Sequence, residues 1–125
     1  MTVLQAILKC DKLKPNQYDS GDKTQWLSNL DLMVSNNILK AHEDNTHADF
    51  IGYPESGSDD TVLLVPDPYS EVYIFYLFAQ IDFNNAEYTR YNNSMIMFNE
   101  AYATYARYYN RTHLPINNGN IKIDF

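Results

Sequence analysis

The stretch DPYSEVYIFYLFAQID, Asp67 to Asp82, decides the fold. Asp67 followed by Pro68 is a helix-start signal: an acid that can cap, then a proline at the first helical position, where a missing N–H costs nothing. From Val72 to Ile81 the chain offers little polar surface apart from Gln80. A helix apolar nearly all round sits at the centre of its assembly, not at its surface. The spacing therefore predicts a central helix from Tyr69 to about Tyr88.

Three more helices surround it in sequence. Downstream, Tyr91, Met95, Phe98, Tyr102, Tyr105 and Tyr109 follow steps of 4, 3, 4, 3 and 4. That is a coiled-coil-like seam, and it predicts a helix from about Ser94 to Arg111, set off by a turn near Asn92-Asn93. Upstream, Leu27, Leu30, Val34 and Ile38 share one helical face, widened by Trp26 and Met33. Asp19 or Ser20 can cap this helix, Asp22 suits its first turn, and the pattern fades near His42. Thr2 and Gln5 make a capping box for a short helix from Val3 to Lys9, with Val3, Leu4, Ile7 and Leu8 on one face. Pro15 and Asn16 then mark a loop. The expected class is all-α: one domain over residues 1–125, a bundle of about four helices.

Two segments do not fit a bundle. Residues 44–67 form a long loop broken by Gly52, Pro54, Gly57 and Pro66, and within it Val62, Leu63, Leu64 and Val65 form one apolar, strand-like run. Residues 116–125 form a tail in which Ile121, Ile123 and Phe125 alternate with Lys122 and Asp124 beyond the Asn118-Gly119 turn signal, a half-buried strand pattern. Neither has an evident partner in a helical domain. Unpaired strands seek backbone partners, so the two either pair with each other in a small sheet or add to a neighbouring chain. Val62, Leu63, Leu64, Val65, Ile121, Lys122, Ile123 and Phe125 are the candidate protein-interface residues.

Composition narrows the function classes. The 125 residues are 45% hydrophobic and 14% aromatic, with eleven tyrosines, enough for a real core. Sixteen acids against nine bases leave a net charge of −7, the wrong sign for gripping nucleic acid by Coulomb attraction. No apolar run approaches the roughly 20 residues a membrane helix needs. Met1 to Cys10 lacks the order of a secretory signal, so a soluble, intracellularly made chain is expected, and the Asn92-Asn93-Ser94 and Asn110-Arg111-Thr112 sequons carry no meaning. Single Cys10 excludes an intramolecular disulfide; Lys9 and Lys12 could lower its pKa, yet a partly buried inert thiol is the better reading. His42, Glu43, Asp44, His47 and Asp49 are metal-competent side chains, but their spacing fits no zinc motif and reads as a solvated helix end. Asp59-Asp60 resembles part of a calcium loop with its glycine misplaced and its last glutamate missing. No nucleotide-binding or hydrolase motif is present. No catalytic residue, metal or cofactor is expected.

Several strings together resemble a known family: DKLKPNQY (11–18), KTQWL (23–27), LLVP (63–66), YIFYL (73–77), QID (80–82), and Glu87 to Tyr109 with YNNS (91–94) and YYNRTH (108–113). In texture and order they are similar to the small helical head–tail connector (adaptor, head-completion) proteins of tailed bacteriophages and prophages. The resemblance implies a non-enzymatic helical bundle in the virion neck. It implies a ring of copies of itself, commonly twelve, bound to the portal above and to a neck or tail protein below. DNA would pass through the channel without specific binding, and an acidic balance suits a lumen that must not hold phosphates. The alternatives are a tail-completion protein and a small cytosolic helical regulator that binds a protein partner.

Overall fold

The computed structural model describes residues 1–41 and 50–113. They form four α-helices: α1 (Val3–Leu13), α2 (Ser20–Asn37), α3 (Glu71–Asn84) and α4 (Tyr88–Thr112), with a 3-10 turn at Leu39–Ala41 after α2. The all-α bundle expected from the sequence is the observed architecture. The helices share one hydrophobic cluster, in which Val3 and Ile7 of α1 meet Leu27, Leu30 and Val34 of α2, Tyr73, Ile74 and Leu77 of α3, and Phe98 and Tyr105 of α4. α3 is the central helix, as its near-continuous apolar run requires.

Local chemistry sets the helix ends. Thr2 accepts from the Gln5 N–H at 3.2 Å while Gln5 Oε1 accepts from the Thr2 N–H at 2.9 Å, a complete capping box. α1 runs to Leu13 rather than Lys9, because Asp11 to Leu13 raise no obstacle and only Pro15 forces Lys14 out of helical geometry. Asp19 caps α2 through the Asp22 N–H at 2.8 Å. The stripe residues Leu27, Leu30, Val34 and Ile38 are all buried.

Two expected boundaries move. α3 starts at Glu71, with Ser70 as its first flanking residue, rather than at Tyr69. The chain ahead of it is tied to other elements: the Val65 N–H donates to Tyr73 Oη at 2.7 Å, and the Tyr69 N–H closes a turn on Pro66 O at 2.9 Å. Asp67 accepts from the Ser70 hydroxyl instead of capping a helix that begins at Pro68. The boundary between α3 and α4 falls at Asn85–Glu87, not at Asn92-Asn93. Ala86 takes a left-handed φ of 59°, and the Glu87 N–H closes the turn on Asp82 O at 2.9 Å. Asn85 is fixed there because its Oδ1 accepts from Tyr18 Oη at 2.7 Å and from Gln17 at 3.0 Å, whereas Asn92 and Asn93 lie exposed on α4. The hairpin is antiparallel: Phe83 meets Tyr91, Tyr76 meets Phe98, and Tyr69 stacks on Tyr108.

The expectation that Val62–Val65 lacks a partner within the chain is overturned. The N-terminus supplies one. Thr2 and Val62 form an antiparallel bridge, Leu63 N donates to Met1 O at 2.9 Å, and Val3 N donates to Thr61 O at 2.9 Å. Alternation then drives Leu63 and Val65 into the core, leaves Leu64 half-buried and turns Val62 outward. The candidate pairing with the tail falls outside the described residues. Ile121, Lys122, Ile123 and Phe125, like His42, Glu43, Asp44, His47 and Asp49, lie outside the described residues.

Thr2 serves both the α1 cap and the bridge to Val62. Replacing Thr2 with Ala is expected to lower unfolding free energy by about 1 kcal/mol, and Thr2→Ser to restore most of it, read from urea midpoints.

Candidate functional site

Among the described residues, Asp31, fully buried on α2, draws polar partners from three separate stretches of chain. It occupies the i+4 position after Leu27 and precedes Val34 by three, so the apolar stripe carries it inward. Its carboxylate accepts from Tyr73 Oη of α3 at 2.6 Å, from Leu64 N at 3.1 Å, and from the Tyr53 hydroxyl. Tyr73 Oη in turn accepts from Val65 N at 2.7 Å. One side chain thus ties α2, α3 and both halves of the 50–66 segment. Burial raises the Asp31 pKa from the usual carboxylate range, and the three donors oppose that shift. Burial and the neighbouring carboxylate push Tyr53 and Tyr73 upward, which keeps their hydroxyls protonated and donating.

The segment leading to Tyr53 is built to reach this carboxylate. Gly52 adopts a φ of +101°, and a Cβ there would stand 2.5 Å from Ser28 Oγ. Glycine is required both for the backbone conformation and for the close approach. The gap is used by Ser28 Oγ, which accepts from the Tyr53 N–H at 2.9 Å.

A second polar node closes the other end of the bundle. Lys14 Nζ lies 2.6 and 2.8 Å from the two oxygens of buried Asp82, and Ser94 Oγ of α4 donates to the same carboxylate at 3.0 Å. Lys14 also sits 5.0 Å from the centre of the Phe78 ring. Buried Lys23 donates to Asp11 and to Tyr18 O, each at 2.7 Å. These buried charges are taken up by internal partners, and their geometry is that of struts between elements. Cys10 is fully buried, and burial foremost, then Asp11, pushes its thiol up to about 12. Lys14 and Lys23 act in the lowering direction and are outweighed; Lys9 is held by Glu71 at 2.5 Å. Such a thiol is a poor nucleophile.

Of the sequence-derived interface residues, Leu63 and Val65 belong to this chain's own core, and Val62 and Leu64 keep surface. Asp59, from the calcium-like fragment, accepts from Leu4 N at 3.1 Å through its main-chain oxygen. Among the described residues, no three His, Cys, Asp or Glu side chains gather as metal ligands. Nor is any described helix long and apolar enough to cross a membrane.

Surface features that sequence reading missed lie at the two ends of the α3–α4 hairpin. Phe83 and Tyr88 are 52% and 57% exposed at the turn, their ring centres 6.0 Å apart. At the far end an open cleft of about 230 Å³ is walled by Tyr105, Tyr108, Tyr109 and His113 against Leu39, Leu64 and Pro66. A smaller cleft of about 160 Å³ lies between Tyr69, Phe75, Met97 and Ala101, with Glu71 and Glu100 at its rim. Comparison with protein-family models, with curated proteins and with solved structures found no match.

Asp31 gives the site its sharpest prediction. Asp31→Leu strands three buried donors and is expected to cost on the order of 3–5 kcal/mol; Asp31→Asn, which keeps an acceptor, costs about 1–2 kcal/mol. A raised pKa means the native state holds its proton longer than the unfolded chain. The Asp31 contribution is therefore greatest below the unfolded value near 3.8 and declines as pH rises through the folded value. The penalty of Asp31→Asn is expected to be larger at pH 4 than at pH 7 in urea titrations at both pH values.

Proposed function

We propose that this chain is a building block of a tailed-phage neck: a head–tail connector adaptor working through protein contacts rather than catalysis. The observation that carries this reading is the division of chemistry between inside and outside. The buried ionisable groups Asp31, Asp82 and Lys23 are bound up as internal struts, whereas large apolar side chains face outward on several elements. Ile51 is 90% exposed, Val62 66% and Ile96 62%. Exposed apolar side chains on a bundle stiffened from within suit a part that presents surfaces to neighbours. The all-α architecture agrees with what the resemblance implies.

In this reading the adaptor forms a ring of copies beneath the portal and receives the next neck or tail protein below. It extends the DNA channel, and its net charge of −7 withholds attraction from the phosphates. The working location is the virion neck. Residues 62–65 are committed largely to the chain's own core, so the contacts fall to Val62 and Leu64, to the outward apolar side chains and to the segment from Ile121 to Phe125.

The test is particle association. An epitope-tagged chain, expressed during phage production, is expected to band with DNA-filled particles in a density gradient and to be labelled at the head–tail junction by immunogold. A chain lacking Ile121 to Phe125 is expected to keep its thermal midpoint and to leave the particle band. Full-length chain recovered only at the top of the gradient contradicts the reading, as does unfolding on removal of those five residues.

A further inference from the structure

We infer that the cleft between the start of α3 and the middle of α4 receives an arginine side chain from a partner protein, with its guanidinium on Glu100. The inference names the partner chemistry for the assembly reading and rests on that reading for its setting. Phe75 of α3 and Met97 and Ala101 of α4 supply apolar lining, and Glu71 and Glu100 stand at the rim. The volume of about 160 Å³ falls below the roughly 300–1,000 Å³ of small-molecule sites, so the cleft holds one side chain rather than a cofactor.

Glu100 selects the charge of the occupant. Its carboxylate has no hydrogen-bond or ion-pair partner among the described residues; only its main-chain oxygen is used, by the Thr104 hydroxyl at 2.8 Å. The positions three and four residues away are Ile96, Met97, Ala103 and Thr104, so α4 itself supplies no cation. The other charges around the cleft are accounted for. Glu71 is held by Lys9 at 2.5 Å, and Asp67, next to the lining Pro68, accepts from Ser70. The positive end of α3 is answered by these same two acids. Arg107 donates to Thr104 Oγ1 at 3.2 Å, seven residues and about 10 Å along α4 from Glu100. Arg90 pairs with Glu87 at 3.4 Å. Arg90 and Arg111 each lie about 15 Å or more from Glu100 along the helix, past a Debye length of about 8 Å at physiological salt. Asp67, Glu71 and Glu100 against Lys9 and Arg107 leave the cleft net negative. Arginine suits the lining better than lysine. Its stem covers Met97, which is 48% exposed, and its planar head can pair with a carboxylate while lying against an aromatic ring. Phe75 is half-buried and makes no ring pair among the described residues, so the part of its ring that lines the cleft is uncovered.

Methionine-methyl NMR of the full chain tests this. The probe is N-acetyl-arginine amide, compared at matched ionic strength with N-acetyl-citrulline amide, which keeps the shape and loses the charge. One exposed ion pair is weak, so a dissociation constant of about 1–10 mM is expected. The Met97 methyl should shift saturably with the arginine amide and several-fold less with the citrulline amide, while the Met33 methyl on α2 stays in place. Glu100→Gln, at an exposed position, should remove the saturable shift and keep the fold. No saturable shift up to about 50 mM, an equal shift with the citrulline amide, or an equal shift in Glu100→Gln overturns the inference. So does a Met97 shift that follows chain concentration alone and that the arginine amide does not displace, because a second copy then fills the cleft. Arginine binding in a chain that never joins particles keeps the cleft and loses the phage reading. A particle-bound chain whose Met97 ignores the arginine amide loses the cleft and keeps that reading.

Discussion

A carboxylate placed where no water reaches must find its donors within the protein, and Asp31 finds three. The rest of the structure follows from that demand. α3 must present Tyr73 at the same depth as Asp31. The chain must return after the 3-10 turn to deliver Tyr53, which dictates Gly52 and the Ser28 contact. It must then pass the carboxylate again with the amide of Leu64 before α3 can begin. The long segment between α2 and α3, which looks like a loose insertion, is pulled down at two points by one side chain. Burying the charge is itself unfavourable, as the raised pKa records, so the network serves to specify one arrangement of α2, α3 and the connecting chain.

The same logic separates core from surface. With 50–66 held down, the N-terminus has a backbone edge to join, and Met1 to Val3 pair with residues 61–63. Lys14, Asp82 and Ser94 clamp the other end of the bundle. What remains outside is a set of apolar side chains on several elements, among them the exposed aromatics Phe83 and Tyr88 at the α3–α4 turn. A part that is stiff within and apolar at defined outward points is suited to assembly with neighbours. This is the physical link between the fold and the proposed role in the phage neck.

Much of the fold was legible from residue periodicity. The seam from Tyr91 to Tyr109, the stripe from Leu27 to Ile38 and the capping box at Thr2 are local signals, and the structure follows them. Beyond the end of α1, the misreadings arise from contacts that local composition does not encode. Asp67-Pro68 has the composition of a helix start, but Tyr73 and Pro66 hold that stretch in turns. Asn92-Asn93 has the composition of a turn, but Tyr18 and Gln17 fix the turn at Asn85 instead. Val62–Val65 looked unpartnered because its partner, Met1 to Val3, was read only as a helix start. The polar nodes left a fainter trace: Asp31, Lys23 and Asp82 each stand at positions where an apolar residue would continue the stripe. An acid within an apolar face is a sign of a buried network, and it does not reveal which donors complete it.

Native-state hydrogen exchange at the amides of Leu64 and Val65 tests the central role of Asp31 most directly. Both are expected to exchange as slowly as the central amides of α3, and to speed up together in Asp31→Asn while the mid-α4 amides stay protected. Exchange of Leu64 and Val65 at the rate of an open loop in the unaltered chain would contradict the claim that this carboxylate holds the molecule's parts in register.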